Sequence, residues 1–546
     1  MTSSLQDLTN VQGDILLNGL PKEVETFWFF DIVDATKFCK NLRVVANREI
    51  SSTQDVREKR GEIKAFKQQG KAAGGLQVPT VGANISFSAK GLKKISPGVG
   101  LNLTTNDQDF EAGMRATAVD KLADPKSPMG SDPIWDPQWH GHEIHGVLLV
   151  AGNTPALVKE KLDRIIKLFD GSIKLAFKLD GQVRPGEQKG HEHFGYKDGV
   201  SQPAISNIPN LTQDEAFVPP GQDTIDQGVI LCGRPGDTQA STRQPWMVDG
   251  SFLAFRKLKQ NVQDWDKFLV DSSNILGTFS DQLGARLIGR WKSGCPVNLQ
   301  AEFDDKNIGN DPLRNNAFNF DPTGLNTAST FPHTEGSRLL CPIGAHIRKT
   351  NPRTDQPPLG RPSVHPHRIL RRGIPYGPEI STSPLAERGL LFACYQSSLS
   401  AGFTFLQQFW ANNTSFRFEA AAINKAVPFF KKLFVTFCLL SCSDFTTTTT
   451  TAFDFPTLSK NDQAISNSKH TLQQTTTMSA PNQGRQSPEP ERQSDSQTGT
   501  QASQPNDQNA GPGGAKPAEQ SKETLEKLGS NPGGPLDEEA KKKTAK

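Results

Sequence analysis

Three short stretches of this 546-residue chain put reactive side chains in settings that favour chemistry. In HEHFGYKDGVSQP (His191–Pro203), Gly195 and Gly199 bound a turn that presents a single carboxylate, Asp198, with close backbone approach on either side. A carboxylate so placed can move a proton on a bound molecule; a lone turn aspartate is also a common capping residue. In CPIGAHIRKTNPR (Cys341–Arg353), His346 has small residues on one side and Arg348, Lys349 and Arg353 on the other. An imidazole with room beside it and cations nearby suits a large, flat, anionic cofactor such as haem, while the same block taken alone also reads as a surface histidine. The third stretch, RILRRGIPYGPE (Arg368–Glu379), sets arginines ahead of a Gly and Pro turn. A further cluster, HGHEIH with His140, His142 and His145, invites a metal reading but lacks the HExxH spacing that brings two ligands and a base to one helix face. It runs straight into a strand pattern, whose alternation puts His142 and His145 on opposite faces, so these histidines read as structural. His191 and His193, which bracket Glu192, read the same way.

The elements that must hold these stretches follow from hydrophobic period. TFWFFDIV (Thr26–Val33), Gly82–Ser88 and EIHGVLLVAG (Glu143–Gly152) read as strands. Thr154 then supplies an N-cap, Pro155 the first helical position, and Leu157, Leu162, Ile165, Ile166 and Phe169 recur at helical spacing before another strand, Ser172–Leu179. Strand, helix, strand and strand, helix, strand in this order predict an α+β fold with a split βαβ, or ferredoxin-like, sheet and its helices on one face. A second set of elements repeats the theme: a strand at Gly250–Leu258, helices at Val262–Leu276 and Phe279–Trp291, and a strand at Leu390–Ser398. The last helix, Ser400–Asn413, should lead into one more strand, but an apolar cluster and a threonine tract (Val427–Thr451) arrive instead, with neither helical nor strand period. That segment reads equally as an atypical loop or as non-coding sequence read through. From Pro456 to Lys546 there is no Phe, Trp or Tyr, a composition that cannot offset chain entropy and predicts a disordered tail. Met478 onward also looks like a self-contained small hydrophilic protein, as in a fused or mis-joined reading frame. The expected organisation is an N-terminal half over 1–240, a C-terminal half over 241–425, the atypical segment 426–455 and the tail 456–546.

Composition narrows the function classes. With 61 basic against 58 acidic residues, the net charge of +3 gives no field that would recruit nucleic acid. The longest apolar run, Leu433–Leu440, already contains Thr436 and falls far short of the roughly 18 residues of a bilayer crossing, so no membrane partner is expected. Seven scattered cysteines without a CxxC pair predict neither a disulfide framework nor a zinc site, and the amino terminus lacks a basic and apolar leader. Both point to a cytoplasmic location.

Taken together, the three stretches resemble the dye-decolorizing peroxidase family of haem proteins, its fungal branch above all. The family's GxxDG signature stands here as Gly195, Tyr196, Lys197, Asp198 and Gly199, and its proximal block as CPIGAHIRKTNPR. NVQGDILLNGLPK (Asn10–Lys22), ISFSAKGL (Ile85–Leu92), LIGRWKSG (Leu287–Gly294) and GLLFACYQ (Gly389–Gln396) are similar to family blocks too, in order across residues 8 to 413. The resemblance implies two ferredoxin-like halves with haem b (iron protoporphyrin IX) between them, and H2O2 as oxidant with dyes, phenols and other aromatic compounds as reductants. It makes His346 the iron ligand, Asp198 the distal carboxylate and Arg371 the distal arginine, with the adjacent Arg372 as the alternative. Leu390 and Phe392 match residues lining the distal oxygen site, and Trp410 matches a surface tryptophan that passes electrons from bulky substrates, while its spacing of three and four from Phe403 and Leu406 reads equally as a core tryptophan. Two features depart from the pattern: after Trp410 the sequence shows neither the aspartate that accepts from the proximal histidine nor a terminal strand. Asp444 and Asp454 lie in the threonine-rich region without family context. A haem-binding protein with impaired turnover is therefore the second expectation, and a non-haem metal protein built on His140, His142 and His145 the third. Oligomeric state is not legible.

Overall fold

The computed structural model describes residues 7–70, 77–128, 130, 132–320, 341–342, 344–353 and 364–413. The chain divides into Met1–Pro505 and Asn506–Lys546, and every described residue belongs to the first unit. The expectations for 426–455, for the tail 456–546 and for Asp444 and Asp454 lie outside the described residues.

The first half contains strands β1 (Val24–Ile32), β2 (Val81–Phe87), β3 (Gly146–Gly152) and β4 (Ile173–Gln182), with helices α1 (Ala35–Arg48), α2 (Thr53–Gln68), α3 (Ala89–Val99) and α4 (Pro155–Phe169) between them. The sheet order is β2-β3-β1-β4 and every pairing is antiparallel, the arrangement of a ferredoxin-like unit. Every residue of β1 is buried, which is why its centre, Phe27–Phe30, is apolar without interruption. Trp28, Phe30 and Ile32 pack on the helix side with Phe38, Ile165 and Phe169. Phe27 and Phe29 face the other way, towards the second half. The cap expected for α4 is present, Thr154 accepting from the Leu157 amide with Pro155 at the first position.

The second half contains β5 (Phe252–Lys259), α5 (Val262–Leu276), α6 (Ser280–Ile288), the short helix α7 (His346–Thr350), β6 (Leu370–Arg371), β7 (Ile374–Tyr376) and β8 (Gly389–Gln396). A final helical segment, α8, runs from Phe403 to Ala411 and is π-helical from Leu406. β8 pairs antiparallel with β5 on one side and with β6 and β7 on the other. The two sheets meet through side chains: Phe27, Phe29, Val147 and Phe177 of the first pack against Ile374, Leu391 and Ala393 of the second. That interface is apolar, so it leaves the reactive stretches to the opposite face of the second sheet.

Two expectations change here. The third strand begins at Gly146, not Glu143: Ile144 has φ of 33°, which ends the extended pattern, so strand alternation does not govern His142 and His145. The structural reading of His145 holds for another reason, because its Nδ1 accepts from the Ile32 amide at 2.9 Å. Among the described residues there is no group of three or more potential metal ligands, which removes the histidine-cluster metal reading. Among them, too, no helix is long and apolar enough to cross a membrane.

Candidate active site

The carboxylate turn is built from its first residues. Glu192 turns its carboxylate back onto the loop, accepting from the Phe194 amide at 2.9 Å and the Tyr196 amide at 2.7 Å, and also from the Gln260 side chain. Tyr196 is buried against Trp265, Leu269 and Leu283, which roots the turn in α5 and α6. Gly195 and Gly199 have φ of 91° and 76°, conformations that glycine adopts without strain. The Asp198 amide donates to the Gly190 carbonyl at 3.0 Å, and the Asp198 side chain projects into open space, 45% exposed.

Facing it is the second sheet. Arg371 lies opposite Cys394 in the β6–β8 register, and directly opposed residues share a face. Leu390 and Phe392 lie on that same face by alternation, while Leu391 and Ala393 point between the sheets. Arg371 Nη2 stands 3.6 Å from Asp198 Oδ1. The contact is held from behind by Gln202, whose side chain donates to the Arg371 carbonyl at 3.1 Å and accepts from its amide at 3.2 Å. Gln202 closes the same sequence stretch as Asp198, so one loop carries both the carboxylate and the brace for its partner. Only the coincidence of a glutamine in that stretch pointed to it.

Arg372 settles the alternative. It is buried, and its guanidinium donates to the carbonyls of Asp14, Ile15 and Leu17, tying the amino-terminal lead-in to the second sheet. It has no access to Asp198.

His346 opens α7. Water reaches its ring, yet protein encloses it on enough sides that desolvation, helped by the Arg371 charge and opposed by that of Asp198, lowers its pKa to about 4. The imidazole is neutral in the neutral pH range, and among the described residues its ring nitrogens accept no hydrogen bond, so a lone pair is available for a metal. A side chain added at Gly344 or at Gly199 would meet nothing within 4 Å, so neither segment is crowded there. Arg368, buried nearby, has an Nε without a hydrogen bond, 3.5 Å from Asp223. A neutral imidazole whose ring makes no hydrogen bond among the described residues, within reach of the Asp198 and Arg371 charges, fits the iron ligand of a haem group.

Other predicted residues sit differently. Arg348 and Arg353 donate to buried carbonyls, and Lys349 to the carbonyls of Ala411 and Asn413, so these cations fasten the loop and α8 and were misread as partners for an anion. Leu390, with Asp198, Arg371 and Gln202, lines a small cavity of about 40 Å³, room for a molecule of water or peroxide size. Phe392 lies outside that cavity and packs on Phe403, ring centres 5.9 Å apart. Trp410 is 7% exposed, in a cluster with Val364 and Leu406, edge-on to His367 and Phe405. The expected surface position is thus corrected: α8 turns this indole inward, because its apolar stripe packs down.

Glu192 was read as structural neighbourhood only, and it is the residue that shapes the catalytic-type turn. Burial pushes its carboxyl up to about 7, although the Phe194 and Tyr196 amides favour the charged form. Between its ordinary 4.5 and about 7 the folded protein holds a proton that the unfolded chain releases. Stability from this group is therefore full below pH 4.5, falls as pH rises towards 7, and is constant beyond. Glu192→Gln should flatten that decline, narrowing the fall in melting temperature between pH 4.5 and 7.5 by roughly 2–4 °C. Parallel melting curves of both proteins across the range would refute the assignment.

Comparison with known proteins places this geometry. Residues 10–185 match the DyP dimeric alpha+beta barrel domain, and residues 221–420 match the Dyp-type peroxidase C-terminal domain. The chain is 39% identical over 425 residues to Peroxidase 2 of Mycetinis scorodonius, covering 76% of this chain and 74% of that one. It is 38% identical over 423 residues to the dye-decolorizing peroxidase AauDyP1 of Auricularia auricula-judae, with 74% of each covered. Among solved structures, a mutant of the dye-decolorizing peroxidase from Pleurotus ostreatus superposes with a TM-score of 0.68 at 38% identity, over 78% of this chain and 86% of that one. A dye-decolorizing peroxidase in complex with 2,6-dimethoxyphenol superposes with a TM-score of 0.61 at 36% identity, over 76% and 86%. Both sheets, His346 and Arg371 fall within the matched domains, with Asp198 between the two in sequence, and on these matches the chain belongs to the DyP-type, dye-decolorizing peroxidase family.

Proposed function

We propose that this peroxidase holds haem b through the ring of His346, reduces H2O2 with Asp198 and Arg371 as the working pair, and draws its electrons from dyes and phenolic or other aromatic compounds. The observation that carries the reading is the Asp198–Arg371 contact beside a cavity of peroxide size, with both charges acting on the His346 ring. Bound haem supplies the iron at which the O–O bond is broken. The protein's part is proton and charge management: the Asp198 carboxylate takes the proton from one peroxide oxygen and returns it to the other, so that water leaves. Arg371 offsets the negative charge that builds on the departing oxygen. Leu390 walls the small cavity and keeps larger molecules from it. The aromatic reductants are proposed from the relatives' names and from the 2,6-dimethoxyphenol complex of one related structure.

Purified protein tests this directly. A Soret band with one haem per chain and peroxide-dependent oxidation of 2,6-dimethoxyphenol and of a bulky dye are expected. A Soret band without turnover would instead support the haem-binding reading.

The buried setting of Trp410 bears on how bulky dyes are oxidised. With its indole packed on His367 and Phe405, Trp410 cannot touch a dye. Trp410→Phe should therefore lower turnover of large dyes and small phenols in the same proportion, within about twofold, with melting temperature falling as a large buried side chain shrinks. Selective loss of dye turnover would restore the relay role.

A further inference from the structure

Asp198 ends its step as it began, a carboxylate, because the proton it takes from one peroxide oxygen goes to the other. One H2O2 becomes two waters only when two electrons and two protons have been supplied. A reductant too large for a space of about 40 Å³ releases its own protons outside that space. The second water therefore needs protons carried through the protein.

Besides Asp198, the ionisable side chains lining the small cavity are Lys22, Arg184, His191, Glu192 and Arg371. The two arginines do not release protons. Glu192 is engaged by the Phe194 and Tyr196 amides and by Gln260, and His191 keeps a proton on Nδ1, which lies 3.2 Å from the Lys189 carbonyl. Lys22 differs. Its Nζ donates to Glu25 Oε2 at 2.9 Å and to the Arg372 carbonyl at 2.6 Å, and its third N–H has no acceptor among the described residues.

Behind Lys22, Glu25 lies on the face of β1 that carries Phe27 and Phe29, its side chain wholly enclosed between the sheets. Its Oε1 has no hydrogen-bond partner. Burial pushes its carboxyl up to about 7, against the pull of the Lys22 charge and with the help of the Asp14 carboxylate. Tyr395 of β8 faces Asp14 and Glu25 and stays a neutral phenol, held so by burial and by both carboxylates, and Arg372 faces Asp14. As a purely structural pair this arrangement is poor. Two buried charges with an unpartnered oxygen stabilise a fold no better than apolar side chains of the same size.

We propose that Glu25 and Lys22 are the proton store of the peroxide cavity, an inference that rests on the roles given above to Asp198 and Arg371. Lys22 gives a proton from Nζ to an oxygen in the cavity, its N–H bond breaking as the O–H bond forms. The carboxyl proton of Glu25 then restores the ammonium. What remains is an ammonium–carboxylate pair, which lasts until Glu25 takes up the next proton from solvent. Two such deliveries accompany the two electrons from the reductant.

Stopped-flow mixing of the holoenzyme with peroxide, and then with a bulky dye, separates this store from the Asp198 step. In the parent, the return of the Soret band to its resting form should slow as pH rises through about 7, where Glu25 loses its proton. Glu25→Gln and Lys22→Met should each slow that return by at least about tenfold and remove its pH dependence, while changing the first Soret shift by less than about twofold. Glu25→Asp should recover most of the rate. Return rates equal to the parent's in both variants overturn the proposal and make solvent beside Asp198 the proton source. A parent with no Soret shift on adding peroxide fails the peroxidase reading itself, and this proposal with it. Because removing one partner of a buried pair is strongly destabilising, a second measurement leaves the pair intact. Infrared spectra of Glu192→Gln protein with isotope-labelled glutamate should show one buried glutamic acid that loses its proton near pH 7, with or without haem. No such glutamic acid overturns the store.

Discussion

His346→Ala should yield a folded protein that retains roughly a tenth or less of the parent's haem. Among the described residues, every other histidine whose pKa burial lowers already has a hydrogen-bond partner, His191 through its Nδ1 3.2 Å from the Lys189 carbonyl. His145 accepts from the Ile32 amide, His193 Nε2 lies 2.9 Å from the Tyr376 carbonyl, and His367 Nδ1 lies 2.6 Å from the Ala401 carbonyl while its ring stacks on Phe405. Among the described histidines whose pKa burial lowers, His346 is the one whose ring makes no hydrogen bond. Its removal deletes no tightly packed side chain, because the residue is exposed, and α7 is anchored independently by Lys349 and Arg348. Folding should therefore survive and ligation should not. Soret absorbance per protein, with circular dichroism as the folding control, separates the two, and added imidazole should recover part of the band. An unchanged Soret spectrum in the variant would show that another residue holds the iron.

How much of this was legible in the sequence depends on how local each cause is. The strand TFWFFDIV and the helix Val262–Leu276 are written in consecutive residues, by burial on both faces and by helical period, and both are found in place. The Asp198 turn is likewise announced by its two glycines. The choice between Arg371 and Arg372 is not, because one register step reverses the face and the carbonyls that claim Arg372 are those of Asp14, Ile15 and Leu17, at the far end of the chain. The same holds for Lys349, whose partners are backbone carbonyls that become neighbours only once α8 has packed. Trp410 shows a third kind of difficulty. Spacings of three and four mark one face of a helix, but not whether that face meets solvent, and Val364 closes over it from a distant segment.

Asp198→Asn should keep haem content and slow the reaction with peroxide by about 10²- to 10⁴-fold. The substitution is nearly isosteric: the side-chain oxygen that accepts from the Gly199 amide at 2.6 Å survives, as does the loop held by Glu192 and Tyr196. What disappears is the ability to take a proton and return it, and with it the counter-charge 3.6 Å from Arg371. Arg371→Leu should lose about 10²- to 10³-fold, through the charge left without a partner on the departing oxygen. Its backbone would stay in place, because Gln202 binds the amide and carbonyl of residue 371 and not its side chain. The two losses should not add. If carboxylate and guanidinium act on the same proton transfer, the double variant should be little slower than Asp198→Asn alone, as is usual for groups that work as a unit. Stopped-flow mixing with peroxide, following the first change in the Soret band, measures all three proteins. Rates equal to the parent's in both single variants would remove the pair from the mechanism. Fully multiplicative losses would keep both residues but separate their tasks, with the arginine acting on peroxide entry and the aspartate on the proton.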